Sequence, residues 1–270
     1  MAERIRPERA TQRRVVALFT DNARTDCLGY EHLGDWSRRA DNRNIEPQYL
    51  SAHLRGRGYS DAQIAAALRQ LQAAAEVGSH TLYDANLRTY QLLRYGADVQ
   101  TALGEPTRKV HYIDWQTPAN NHFALAEEVT LRGGLERRPD IVLYLNGIAI
   151  AVIELKRSSR DVAEGIRQLI SNQQKAFNQS FFSTAQLLLA GSDAQGLYYA
   201  TAESEEDFYV QWKHADGLAG GEAGVLLDRP LAELFDKARL LDFLYNFVIF
   251  DAGRKKVPRQ HQHAAIKAAQ

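Results

Sequence analysis

The sequence predicts an α/β fold: a mixed β-sheet flanked by helices, with a helical extension at its amino-terminal side. Three observations carry this. Apolar spacing is helical through residues 1–105, whereas from Lys109 it alternates. Two β-type runs, Ile141 to Leu145 and Ile148 to Ile153, flank Asn146-Gly147, the strongest short-range hairpin signal. An amphipathic helical stretch and another apolar strand, Thr184 to Ala190, then follow, an order that builds a mixed sheet with helices on its faces.

Taken in order, Thr11 to Phe19 sets Val15, Leu18 and Phe19 on one helical face. Asp21 to Asn44 is rich in Gly, Asp, Asn and Arg and reads as a loop. Pro47 to His53 starts a helix that Gly56 and Gly58 end, Ser60 caps a helix over Asp61 to Ala75, and Asp84 caps one ending before Gly96. His53 and His80 stand alone and carry no metal-ligand pattern. Val110, Tyr112 and Trp115 predict one strand and Phe123 to Leu131 another. After the hairpin, Val162, Ile166, Leu169, Ile170 and Phe177 form an apolar stripe, which puts Gln168 and Asn172 on another face, either as ordinary surface amides or as donors to a phosphate backbone. Leu197 to Thr201 is a short last strand after the Gly191 to Gly196 turn.

Composition narrows the classes. The chain has 270 residues, 45% of them hydrophobic, enough for a sizeable core. Lys plus Arg and Asp plus Glu number 33 each, so a protein that grips nucleic acid over its whole surface is not expected. The charge is uneven, however. Residues 1–14 carry five Arg and residues 251–270 five Lys or Arg, while residues 202–242 hold ten acids against four bases. A single cysteine, Cys27, excludes an internal disulfide and a thiolate zinc site and suits a reducing compartment. No apolar run reaches membrane-spanning length, so we expect a cytoplasmic protein with no membrane partner. There is no internal repeat, no phosphate loop of the GxxxxGK[ST] type and no GxGxxG.

The chemistry gathers at the hairpin. Asp140 opens the first run, and Glu154 and Lys156 close the second, on strands that otherwise read as buried on both faces. An unpaired buried carboxylate costs several kcal/mol; two carboxylates and an ammonium around a divalent cation compensate one another, which points to a Mg²⁺ site with a lysine beside it. Glu127 and Glu128 lie close enough in sequence to add to the metal shell; facing solvent or an arginine is their alternative. Parity imposes a condition. With a strict two-residue loop Leu145 faces Ile148 and Asp140 faces Ile153, so Glu154 points to the opposite side of the sheet. A shared metal therefore predicts a one-residue slip, most simply a three-residue loop with Gly147 in a left-handed bulge, or a bulge or strand end near Asp140.

Pro139-Asp140, thirteen intervening residues and Glu154-Leu155-Lys156 resemble the PD-(D/E)xK nuclease signature. More extensively, LYDANLRTYQLLRYGADV (82–99), VHYIDWQTPANNHFALAEEVTL (110–131), RRPDIVLYLNGIAIAVIELK (137–156), GIRQLISNQQKAFNQSFFSTAQLLLAG (165–191) and KARLLDFLYNFVIFDAGRKKVPRQHQHAAIKAAQ (237–270) resemble the amino-terminal region of the R subunit of type I restriction enzymes. The resemblance implies a restriction-endonuclease-like core. It also implies that Asp140, Glu154 and the Leu155 backbone carbonyl bind Mg²⁺, that Lys156 is catalytic, and that a QxxxY element follows. Gln168 matches its glutamine; Asn172 stands where tyrosine is usual.

RKKVPRQHQH (254–263) resembles the lead-in to the family's ATP-dependent motor, in which Gln262 would read adenine. The resemblance implies a helical part at 1–105 packed on the core, a nuclease core at 106–235, and at 236–270 a linker and the start of a motor absent from this fragment. ATP hydrolysis would belong to the parent protein. The expected function is Mg²⁺-dependent endonucleolytic cleavage of double-stranded DNA after ATP-driven translocation, alongside methyltransferase and specificity subunits. A second reading is a non-cleaving docking platform between motor and methyltransferase core. A third, a repair exonuclease or junction resolvase, fits poorly with the motor-like tail.

Overall fold

A computed structural model describes residues 8–213 and 225–269. Arg4 and Arg6 of the amino-terminal basic run, and Asp216 and Glu222 of the acidic stretch, lie outside the described residues. The chain opens with helix α1 (Glu8–Thr20), strand β1 (Glu31–Asp35), helices α2 (Pro47–Gly56), α3 (Asp61–Ala75) and α4 (Leu82–Tyr95), and a ribbon of β2 (Ala97–Val99) with β3 (Arg108–Val110). There follow β4 (Phe123–Glu127), β5 (Ile141–Leu145), β6 (Ile148–Lys156), α5 (Val162–Asn172), β7 (Leu187–Ser192), β8 (Gly196–Ala200) and β9 (Val210–Gln211). The chain continues through α6 (Asp228–Phe235), α7 (Lys237–Asn246), a hairpin of β10 (Ile249–Asp251) and β11 (Arg254–Lys256), and α8 (Gln260–Ala269).

The architecture is α/β, as expected. Seven strands form one mixed sheet in the order β1-β4-β5-β6-β7-β8-β9. Pairing is parallel for β1 with β4 and for β6 with β7, and antiparallel elsewhere in this sheet. Parallel neighbours need a crossover, and α5 supplies it between β6 and β7. This sets α5 against the central strands, its first turn over the exit of β6.

The helix starts follow local chemistry. Ser60 caps α3, as expected, and Gln63 completes a capping box with it. At α4 the cap is Thr81, and Asp84, predicted as the cap, is instead its partner three residues on. Other strand predictions shift. Tyr112 to Trp115 is irregular, so the predicted strand ends at Val110, and the strand from Phe123 stops at Glu127 because Glu128 takes a φ of 51°. The segment from Asp21 to Asn44, predicted as loop, contains β1, which adds an edge strand to the sheet.

Apolar side chains pack on both faces. One layer joins Ile141, Leu143, Ile153 and Leu155 of the hairpin with α1, α2 and α3, and also with Leu240, Phe243 and Leu244 of α7. The other joins Val142, Val152, Leu188 and Ala190 with Val162, Ile166 and Leu169 of α5. Every residue of β5 and β6 is buried, matching their continuous apolar reading. Residues after 235 are thus partly core, since α7 is built into it. No helix among the described residues is long and apolar enough to cross a membrane.

Candidate active site

The β5–β6 hairpin turns through Asn146 and Gly147 alone, both with positive φ, 55° and 81°. That is the two-residue turn favoured by strand twist. The Asn146 amide is fully buried and held by Tyr112 O and Asn121 Oδ1, both at 2.9 Å. Gly147 lies against α2: a Cβ there would sit 2.7 Å from Tyr49 Cβ and 2.9 Å from Glu46 O. Leu145 pairs with Ile148 and Tyr144 with Ala149, but Leu143 then pairs with Ala151, leaving Ile150 as an extra residue. The predicted one-residue slip therefore occurs, and the predicted three-residue loop does not. The bulge sits at Ile150, near the turn rather than near Asp140.

Its consequence is geometric. Beyond the bulge Val142 faces Val152 and Ile141 faces Ile153. Carried one residue further, the register sets Asp140 opposite Glu154, on the face that α5 covers. Asp140 is half-buried, and its Oδ2 accepts from Leu155 N–H at 2.7 Å. Burial pushes its carboxyl up to about 6, against the pull of that hydrogen bond and of Lys156. Glu154 is fully buried, and neither Oε has a hydrogen-bond partner. Burial, and then the Asp140 charge, hold it well above the usual carboxylate range. Lys156 Nζ lies 3.9 Å from Glu154 Oε2, too far for a hydrogen bond, and donates to Gln168 Oε1 at 3.1 Å.

Helix α5 can lie this close because residue 165 is glycine: a Cβ there would already touch Ala190 Cβ at 3.3 Å and Lys156 Cε at 3.5 Å. Gln168, one turn on, thus meets Lys156. Asn172 departs from expectation. It is fully buried with no hydrogen-bond partner on either amide atom, so it is not an outward donor to a DNA backbone. Its place three residues beyond Leu169 carries it under the helix with the apolar stripe. Glu127 is engaged by Gln12 and His32, and Glu128 by Arg138 at 2.8 Å, so neither is free to join Asp140 and Glu154.

A carboxylate that the sequence leaves without an evident role, Glu8, does reach the site. It lines the cleft of about 600 Å³ that Lys156, Arg157, Arg160, Glu164 and Gln168 also border, and its charge raises both Asp140 and Glu154. Only its position opening an amphipathic helix marks it in sequence; 132 residues separate it from Asp140. Among the described residues no three His, Cys, Asp or Glu side chains converge to hold a metal ion by themselves. A cation at this site would have two carboxylates and would draw its remaining ligands from backbone, water or substrate. The two buried, unpartnered oxygens of Glu154 fit a hard divalent ion. Gln262 lies far along the chain on α8, where its Oε1 accepts from Arg259 N–H at 2.8 Å and closes the first helical turn.

The arrangement is thus two carboxylates at neighbouring strand ends, with a lysine two residues after the second and a glutamine from the crossover helix. Comparison with known proteins gives the family of the chain. The family described as type I restriction enzyme R protein N terminus matches residues 13–207. The type I restriction enzyme HindI endonuclease subunit of Haemophilus influenzae is 27% identical over 202 residues, 68% of this chain and 19% of that protein. A Methanocaldococcus jannaschii protein named as the MjaVIIIP endonuclease subunit is 29% identical over 179 residues, 62% of this chain and 16% of its own length. The EcoprrI endonuclease subunit of Escherichia coli is 24% identical over 167 residues, 59% of this chain and 52% of that protein. The first two matches thus span less than a fifth of the relatives' length. The family match covers most of the chain, which belongs to the type I restriction enzyme R protein N-terminal family.

Proposed function

We propose that this chain is the nuclease region of a type I restriction enzyme R subunit and hydrolyses phosphodiesters of double-stranded DNA with Mg²⁺. The observation that carries the reading is the Ile150 bulge, which brings Asp140 and Glu154 onto one face and leaves Glu154 buried with two unpartnered oxygens. The endonuclease-subunit names of the relatives support it. Asp140, Glu154 and the Leu155 carbonyl would hold the ion, which when bound would acidify water and polarise the phosphate.

The protein's own groups do the rest. The Leu155 N–H orients Asp140 by occupying Oδ2. Gln168 fixes the Lys156 ammonium at the mouth of the cleft, where it can offset charge developing on a phosphate. Burial under α5 keeps the carboxylates in a low-dielectric setting, so each charge interaction there exceeds its value in water. In this reading target recognition belongs to a specificity subunit and methylation to a methyltransferase subunit. Translocation, with Gln262 reading adenine, belongs to the parent's ATP-driven motor.

Plasmid cleavage by the assembled enzyme carrying Asp140→Ala or Lys156→Ala tests this. Both variants should lose cleavage while ATP hydrolysis and translocation stay near normal. Intact nicking by Asp140→Ala would overturn the reading in favour of a docking platform. Loss of both activities with Lys156→Ala would make the lysine structural.

A further inference from the structure

Beside the carboxylates the chain leaves the sheet and returns as a clamped turn. Leu131 and Arg137 exchange backbone hydrogen bonds of 2.7 and 3.2 Å, enclosing Arg-Gly-Gly-Leu-Glu (132–136). Gly133 N–H donates to Asn178 Oδ1 at 2.7 Å, Asn178 Nδ2 to Leu135 O at 3.1 Å, and Leu135 N–H to Ala176 O at 2.9 Å. At Gly134 the approach is closer still, since a Cβ would fall 2.1 Å from Phe177 O. The Arg137 guanidinium lies 3.9 Å from the Phe177 ring centroid. On the other flank Asn42 Nδ2 donates to Thr130 O at 2.9 Å, and the Thr130 hydroxyl donates to Ser37 O at 2.9 Å. Surface turns are usually loosely held, yet this one is fixed on both sides.

What it presents is unusual for a turn held so firmly. Leu135, at its apex, is 61% exposed, and the Arg132 and Arg138 side chains are more than half exposed. A cleft of about 590 Å³ opens beside it, lined by Arg43, Arg132, Lys175 and the amides of Asn42, Asn44 and Gln179. Segments 36–46, 130–138 and 174–180 carry seven Arg or Lys against three acids, in a chain of zero net charge. The acids facing the cations are Glu136, 3.4 Å from Arg132; Glu128, 2.8 Å from Arg138; Asp41, 3.7 Å from Arg43; and the buried Glu46, 2.6 Å from Arg39; Glu76 also borders the cleft. Arg39 is thus committed to Glu46, whereas surface pairs such as Arg132–Glu136 and Arg43–Asp41 are worth about 0–1 kcal/mol, so a phosphate can take those cations over.

We propose that this clamped turn and its cleft grip the backbone of duplex DNA next to the cleavage site, with Arg43, Arg132 and Lys175 on phosphates and Leu135 against the sugar edge of the minor groove. Pro139 and Asp140 follow the turn directly, so whatever fixes the turn on DNA also fixes the carboxylates relative to the scissile phosphate. An apolar apex between cations suits a groove floor flanked by phosphates. The proposal rests on the nuclease reading for the identity of its polyanion.

The test is fluorescence anisotropy of this chain with a short labelled duplex in EDTA, over a series of KCl concentrations. Arg132→Ala/Lys175→Ala should weaken binding about tenfold or more and reduce the log–log salt slope by about 0.9 for each phosphate no longer neutralised. Leu135→Ala should weaken binding severalfold and leave the slope unchanged, because an apolar side chain releases no counterion. Arg108→Ala/Lys109→Ala, on another cleft, should bind as the unaltered chain does. Failure of the unaltered chain to bind at low salt would overturn the proposal, as would an unchanged slope in Arg132→Ala/Lys175→Ala or a loss only in Arg108→Ala/Lys109→Ala. If Asp140→Ala retained cleavage in the assembled enzyme while Arg132→Ala/Lys175→Ala lost binding as expected, the nuclease reading would fall and the DNA grip would stand.

Discussion

At the scale of single residues, the tension lies in Glu154. Two carboxylates share a buried corner with one ammonium 3.9 Å from the nearer oxygen, and the Glu154 oxygens have no hydrogen bonds to relieve them. Without a cation the corner keeps protons. The folded-state value of Asp140 is raised from 3.8 to about 6, so the native protein binds more protons than the unfolded chain across that interval. Stability of the metal-free protein should therefore fall as pH rises from 3.8 to about 6, and Asp140→Asn should flatten that fall in thermal melts. A divalent ion must displace the same protons. Mn²⁺ or Mg²⁺ affinity, read by calorimetry, should thus drop about tenfold per pH unit per displaced proton below about 6. Binding should vanish in Glu154→Ala; binding that persists there, or that ignores pH, would place the ion elsewhere.

At the scale of elements, the site exists because one strand carries one residue too many. Ile150 is buried and its carbonyl accepts from Gln186 N–H at 2.7 Å, while Ala149 N–H donates to Asn44 O at 2.8 Å. Deleting Ile150 would restore the strict alternation and turn Asp140 and Glu154 to opposite faces. The expected result is loss of divalent binding and of cleavage; a deletion variant that folds and still binds Mn²⁺ would refute the bulge as the cause. Gly147→Ala acts at the other end of the hairpin, where a φ of 81° and a Cβ only 2.7 Å from Tyr49 Cβ combine. Chemical denaturation should show a loss on the order of 1–3 kcal/mol. These elements also mark what was legible in sequence. The Ser60 cap and the Asn146-Gly147 turn could be read because their partners lie within three residues. Parity alone required a slip between Asp140 and Glu154, but its place depended on Asn44 and Gln186, remote in sequence. β1 escaped notice because Glu-His-Leu-Gly-Asp is a polar, largely exposed edge strand paired in parallel with β4. Asn172 read as an outward amide because its spacing of four from Gln168 was followed, whereas its spacing of three from Leu169 sets it with the buried stripe.

At the scale of the whole molecule, a buried amine fastens the carboxyl-terminal hairpin to the sheet layer, alongside Phe250, which packs against the Tyr83 and Tyr90 rings. Lys255 is 8% exposed, and its Nζ donates to Gln186 Oε1 at 2.7 Å, Asn86 Oδ1 at 2.8 Å and Ala185 O at 3.2 Å. Those acceptors belong to α4 and to the entry of β7, so one side chain ties together parts of the chain 69 to 169 residues apart. Three acceptors match the three donors of an ammonium, while burial pushes the amine well below its ordinary value of 10.5. The two effects compete, and their balance can be read from pH. A folded-state value below the unfolded one means that the unfolded chain binds more protons, so this group's contribution to stability should grow as pH rises toward 10.5. Lys255→Met keeps the length of the side chain and leaves two buried acceptors, Asn86 Oδ1 and Gln186 Oε1, without a donor, while Ala185 O keeps its bond from Asn86 Nδ2 at 2.8 Å; each orphaned acceptor can cost about 1–3 kcal/mol, partly offset by removal of a buried charge. Its melting temperature should fall by several degrees near neutral pH, and the rise in stability toward alkaline pH should disappear. If the substitution leaves the melting temperature unchanged, the amine is not what fastens the hairpin. If it lowers the melting temperature but keeps the alkaline rise, the titrating group lies elsewhere and Lys255 remains an ammonium throughout.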